Sequence, residues 1–70
     1  MKLKLFIEHK GGSFEGYENV KAVKLMRTGK KDVLISTYLD GTDEKIYIAD
    51  IKTAFLLELD THLEVFRYEV

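Results

Sequence analysis

Apolar and polar residues alternate with a period of two along most of this 70-residue chain, and that rhythm restricts it to half-buried β-strands. In residues 2–9, Leu3, Leu5 and Ile7 fall on one face and Lys2, Lys4 and Glu8 on the other, with Phe6 interrupting the polar side. Gly11-Gly12-Ser13 supplies the positive φ angles of a tight reversal, and Phe14 to Glu18 returns as a second strand. Residues 32–39 alternate again, Val33, Ile35, Thr37 and Leu39 against Leu34, Ser36 and Tyr38. Both of those faces are apolar, as a central strand requires. Asp40-Gly41-Thr42-Asp43 then predicts a hairpin reversal into Ile46-Tyr47-Ile48. Phe55, Leu57 and Leu59 alternate against Ala54, Leu56 and Glu58, and Asp60-Thr61-His62 turns the chain into Leu63 to Val70.

Residues 19–29 admit two readings. As a helix, Asn19 is an N-cap and Gly29 follows the C-terminus. As a strand, Val23 and Leu25 face inward and a bulge is needed to bring Val20 into line. The strand is preferred because Gly29-Lys30-Lys31-Asp32 joins two β-prone runs as a hairpin turn does. A helix from Asp50 is rejected because Ile51, Ala54, Leu56 and Leu57 spread around the helical wheel. Residues 19–25 also resemble residues 50–56: a short amide or acid, a β-branched residue, lysine, a small residue, and leucine four places after the lysine. This is a faint trace of a duplicated unit. The fold expected is mainly β, one domain over residues 1–70. It is a single small antiparallel sheet or barrel of about five to seven short strands built from hairpins. The alternative is α+β with a helix near residues 19–29.

So short a chain buries little surface, and cysteine is absent, which removes disulfides and thiolate zinc sites together. Self-association is the remaining way to add buried area. A composition 46% apolar and 33% charged still describes a folded chain. No apolar run is long enough to cross a bilayer, and the alternating N-terminus is unlike a secretory leader, so a cytoplasmic setting is expected.

The residues carry no recognisable catalytic or nucleotide-binding motif, and neither an enzyme nor a cofactor is expected. Gly11-Gly12 lacks the rest of a phosphate loop. His9 reads as an exposed hairpin residue. Asp60, His62 and Glu64 would share a face of a straight strand, yet three such groups without a second histidine make a poor metal site, and no metal is expected. Charge is divided, +4 over residues 1–35 and −5 over residues 36–70. Lys21, Lys24, Arg27, Lys30 and Lys31 form the one dense basic run and are the candidate partner-binding residues. The function expected is a non-catalytic protein-interaction module of the inhibitor, adaptor or accessory-subunit type. It would act on a protein partner or a second copy through a sheet edge or an apolar patch with a charged rim. The alternative is a small β-barrel binding single-stranded nucleic acid through residues 21–31.

Overall fold

Each turn signal resolves into a reversal. Gly12 and Gly41 adopt φ of +95° and +89°, the left-handed backbone that their hairpins need. The computed structural model describes residues 2–28 and 31–69. It contains β1 (Leu3–His9), β2 (Phe14–Thr28), β3 (Lys31–Tyr38), β4 (Asp43–Tyr47), a 3₁₀ turn (Ile48–Asp50), β5 (Ile51–Glu58) and β6 (Leu63–Glu69). All six strands form one antiparallel sheet in the order β4-β3-β2-β1-β5-β6. The sheet is open, so the mainly β expectation holds and the closed-barrel form of it does not. Residues 20–28 are strand, which removes the helical alternative for this stretch; Gly29 and Lys30 lie outside the described residues.

Not every strand is short. β2 runs for 15 residues, joining two segments that the sequence divides at Glu18. The strand survives by bending. Asn19 takes φ +59°, a conformation that asparagine tolerates better than most side chains. The register slips by one residue between the pairs Leu3↔Val20 and Leu5↔Tyr17. A second slip lies between Val20↔Tyr38 and Ala22↔Thr37. These are β-bulges, including the one that Val20 required. Residues 14–20 consequently pair with β1 on one side of the strand, and residues 20–28 pair with β3 on the other.

Nor is the sheet a plain meander. After β4 the chain leaves the edge, passes through the 3₁₀ turn and adds β5 beside β1. Buried Ile48 and Ile51 bracket that turn, and the Lys10 N–H donates to the Asp50 carbonyl at 2.8 Å, tying it to the first hairpin. The core is the concave face: Leu3, Leu5 and Ile7 of β1, Val20, Leu34, Ile46, Ala54 and Leu56, with the two isoleucines of the turn.

The bends make the halves of the chain correspond. Leu5↔Leu56 of the β1–β5 ladder matches Leu34↔Leu25 of the β3–β2 ladder, and Ile7↔Ala54 matches Ser36↔Val23. His9↔Ile51 matches Tyr38↔Val20, with the register shift falling at the same point. The β1–β2 hairpin likewise matches β3–β4, Leu5↔Tyr17 with Leu34↔Ile46 and Ile7↔Glu15 with Ser36↔Glu44. An internal repeat therefore carries β1 onto β3, residues 14–20 onto β4, and residues 20–28 onto β5. Leu25 maps to Leu56, 31 positions on, while Leu5 maps to Leu34, 29 positions on. The two extra residues lie in the 3₁₀ turn, where the first half has only its Asn19 bend. β6 has no counterpart.

The β5–β6 turn is held by one carboxylate. Glu58 accepts from the Thr61 hydroxyl, the Thr61 N–H at 2.8 Å and the Asp60 N–H at 3.1 Å, beside His62 at φ +60°. The Thr61 hydroxyl first, then the two backbone N–H groups, hold the Glu58 pKa below 4.5 against the opposing effect of burial.

Truncating Leu5 or Leu34 to alanine should cost about 2–5 kcal/mol in denaturant unfolding, since both are fully buried. Asn19→Val should cost roughly 1–2 kcal/mol and Asn19→Gly close to nothing, because only the former places a branched side chain on left-handed backbone. With its folded pKa depressed, Glu58 stabilises the fold above the unfolded carboxyl pKa, and that support is lost as pH falls through the folded value. Thermal unfolding should find Glu58→Gln below wild type at pH 7, with the gap closing in acid.

Candidate functional site

Alternation divides the basic run between the two faces of the sheet. Lys24 sits opposite Ile35 on the convex face, and Arg27 sits opposite Asp32 on the concave side. Lys21 lies at the second bulge, exposed. Lys31 begins β3 with its ammonium 5.5 Å from the centre of the Tyr47 ring. Lys30 lies outside the described residues. Lys24 and Arg27 thus fall on opposite faces of the sheet.

The fold assembles a different patch in their place. On the convex face of β2, β3 and β4, Lys24, Ile35 and Lys45 form one cross-strand row, and Met26, Val33 and Tyr47 form the next. Val33 and Ile35 are buried although they lie outside the concave core. The long side chains opposite them on β2 and β4 account for that, with aliphatic stems covering the middle strand and charged ends in water. Met26 and Tyr47 remain exposed beside them. Lys45 belongs to no charge run and was missed in the sequence.

Charge pairing differs between the halves of the molecule. Lys4 lies 3.8 Å from Glu18, Lys52 lies 3.7 Å from Glu8, and Arg67 is held by Glu64 at 2.7 Å and Glu69 at 2.5 Å. Lys4 and Arg67 also cap a stack of Phe6 on Phe55, whose centres are 5.1 Å apart. Cations and rings on that part of the convex face already engage one another. Among the described residues, Lys2 and Lys10 at the ends of β1, and Lys21, Lys24, Arg27 and Lys45, have no ion pair. Asp43, the acid closest in register to the basic rows, accepts instead from the Thr37 hydroxyl at 2.8 Å.

The rim of the concave face carries a second polar cluster. Glu15 accepts from Tyr17 at 2.5 Å and contacts His9 Nε2 at 2.5 Å, so His9 is bound across its hairpin rather than loose in solvent. The Tyr17 hydrogen bond, followed by that of His9, keeps the Glu15 pKa low. Burial first, and then Glu15, drives the Tyr17 pKa well above the usual tyrosine value. Tyr38 donates to Glu44 at 2.7 Å and shifts in the same direction, burial again leading. The phenols are therefore neutral donors to these carboxylates, an arrangement that locks side chains in place.

A cleft of about 490 Å³ adjoins the basic patch, lined by Lys31, Asp32, Tyr47, Ile48, Ala49 and Asp50. Asp60 and His62 fall in the β5–β6 turn while Glu64 opens β6 and binds Arg67, so the three do not share the face of one straight strand. Among the described residues no three His, Asp or Glu side chains are placed to hold a metal. Among the same residues no helix is long and apolar enough to cross a membrane. The chain matches no known protein family, no curated protein and no solved structure.

One edge adjoining this patch is bare. Residues 22–28 of β2 pair with β3 on one side, and among the described residues no strand pairs with their other side. The equivalent side of β5 is covered by β6. Burial records the difference: Leu56 is 3% exposed and its counterpart Leu25 is 37% exposed.

Proposed function

We propose that this chain is a non-catalytic protein-interaction module whose binding surface is the basic, partly apolar patch on β2, β3 and β4. The single observation behind the reading is that Lys24 and Lys45, which have no ion pair among the described residues, lie next to exposed Met26 and Tyr47 on the convex face. Exposed apolar side chains next to unmatched charge suit a partner that brings both apolar area and carboxylates. An acidic protein segment is such a partner. A cysteine-free chain is suited to the cytoplasm, and this is the compartment we assign.

Nucleic acid is the second reading, and Lys31 over the Tyr47 ring, with Lys45 two places before Tyr47 on the same face, is what favours it. Against it stands the loss of Arg27 to the other face, which leaves a short phosphate track.

Titration with an oligoglutamate peptide should move the amide resonances of Lys24, Met26, Lys45 and Tyr47. The double variant Lys24→Glu/Lys45→Glu should weaken that binding about tenfold or more. Tighter binding to a single-stranded oligonucleotide, falling steeply as salt rises, would replace this reading with the second one. Binding to neither would refute both.

A further inference from the structure

The internal repeat provides a template for what covers the bare edge of β2. Residues 20–28 correspond to β5 pair for pair, and β5 carries β6 on the side that residues 22–28 leave open. Alternate backbone groups along those residues therefore point away from β3 without a ladder partner among the described residues. Side-chain exposure follows the same relation. Ala54, Leu56 and Glu58 of β5 are buried beneath β6's side, whereas Val23 is half-buried and Leu25 and Arg27 are exposed.

We propose that this edge accepts an extended segment of a partner protein as an added antiparallel strand, in the place that β6 holds on β5. The proposal rests on the interaction-module reading and specifies how the partner docks. Transferring the β5–β6 register gives the segment's chemistry. Phe66 and Tyr68 of β6 face Leu56 and Ala54, so the incoming strand carries apolar residues opposite Leu25 and Val23. Arg67 of β6 faces Phe55, whose counterpart is Lys24, so the incoming residue there is acidic. Arg27 calls for a second acid three places away along the incoming strand. The segment thus carries apolar residues opposite Val23 and Leu25 and acids opposite Lys24 and Arg27.

A second copy's β6 is a poor occupant. In this register its Arg67 would face Lys24, placing like charges directly opposite each other. The two other sheet edges are less suitable. β4 is five residues long and opens with Asp43 and Glu44, and β6 is interrupted by a bulge between its pairs with Leu56 and Leu57.

The test uses the full chain and a capped hexapeptide, Glu-Thr-Val-Glu-Val-Thr, whose acids fall opposite Arg27 and Lys24 and whose valines fall opposite Leu25 and Val23. Two further peptides carry N-methyl groups, one on its odd positions and one on its even positions. Amide exchange followed by NMR should slow at every second residue between 22 and 28. One N-methylated peptide should lose binding and the other keep it, since only one set of N–H groups faces the protein. Lys24→Glu, on a solvent-exposed side chain, should weaken binding at least about fivefold with an otherwise unchanged spectrum.

Equal binding by both N-methylated peptides, or resonance shifts at Lys45 and Tyr47 without alternate protection at 22–28, would overturn strand addition while leaving the module reading intact. No binding of the hexapeptide would also overturn it, and the oligoglutamate titration then judges the module reading separately. Concentration-dependent protection of residues 22–28 without peptide would assign the edge to a second copy instead.

Discussion

The whole arrangement depends on the bend of β2 at Asn19. A straight strand of 15 residues would extend far beyond its neighbours and leave much of each side unpaired. The left-handed residue and the two bulges turn the strand, so that its first half serves β1 and its second half serves β3. Concave residues from both parts then meet in one core, which brings Leu34 and Ile46 into the same cluster as Leu5 and Leu56. The 3₁₀ turn at Ile48–Asp50 performs the matching operation between β4 and β5, with Ile48 and Ile51 as its anchors.

From that geometry follows an asymmetry that bears on function. Two structurally equivalent strands, β5 and the second half of β2, end in different environments because only one of them has an extra neighbour. Where β6 lies, charges are matched and aromatic rings are capped by cations. Where it is missing, Leu25 is exposed while its counterpart Leu56 is buried, and Lys24 and Arg27 have no ion pair among the described residues. In a chain this small the loss of one covering strand is a large fraction of the possible burial. A surface of that kind gains most from a partner.

Much of the fold was legible in the residues. Leu3, Leu5 and Ile7 announce the inner face of β1 through period-two alternation, and Asp40-Gly41 marks the β3–β4 reversal. The likeness of residues 19–25 to 50–56 was a real trace of structure, and it concerns the two strands that the internal repeat makes equivalent. The site was far less legible. Lys24, Arg27 and Lys31 look like one patch in a linear reading, yet neighbouring positions on a strand project to opposite faces. Lys45 and Tyr47 join the site only through their register against Ile35 and Val33. Leu25, expected to face inward, does lie on the concave side but finds no strand to cover it.

The sequence by itself determined that the chain is built of strands, where most of its turns fall, and which side of β1 is apolar. Those properties follow from backbone sterics and from water acting on neighbouring residues, so a short window of chain contains them. Only the tertiary structure decided that β5 joins β1 instead of β4, that the sheet stays open, and that among the described residues no strand covers the outer side of residues 22–28. Those outcomes depend on pairing between segments far apart in the chain, where the gain from burying Ile48, Ile51 and their partners together outweighs closing the sheet in sequence order.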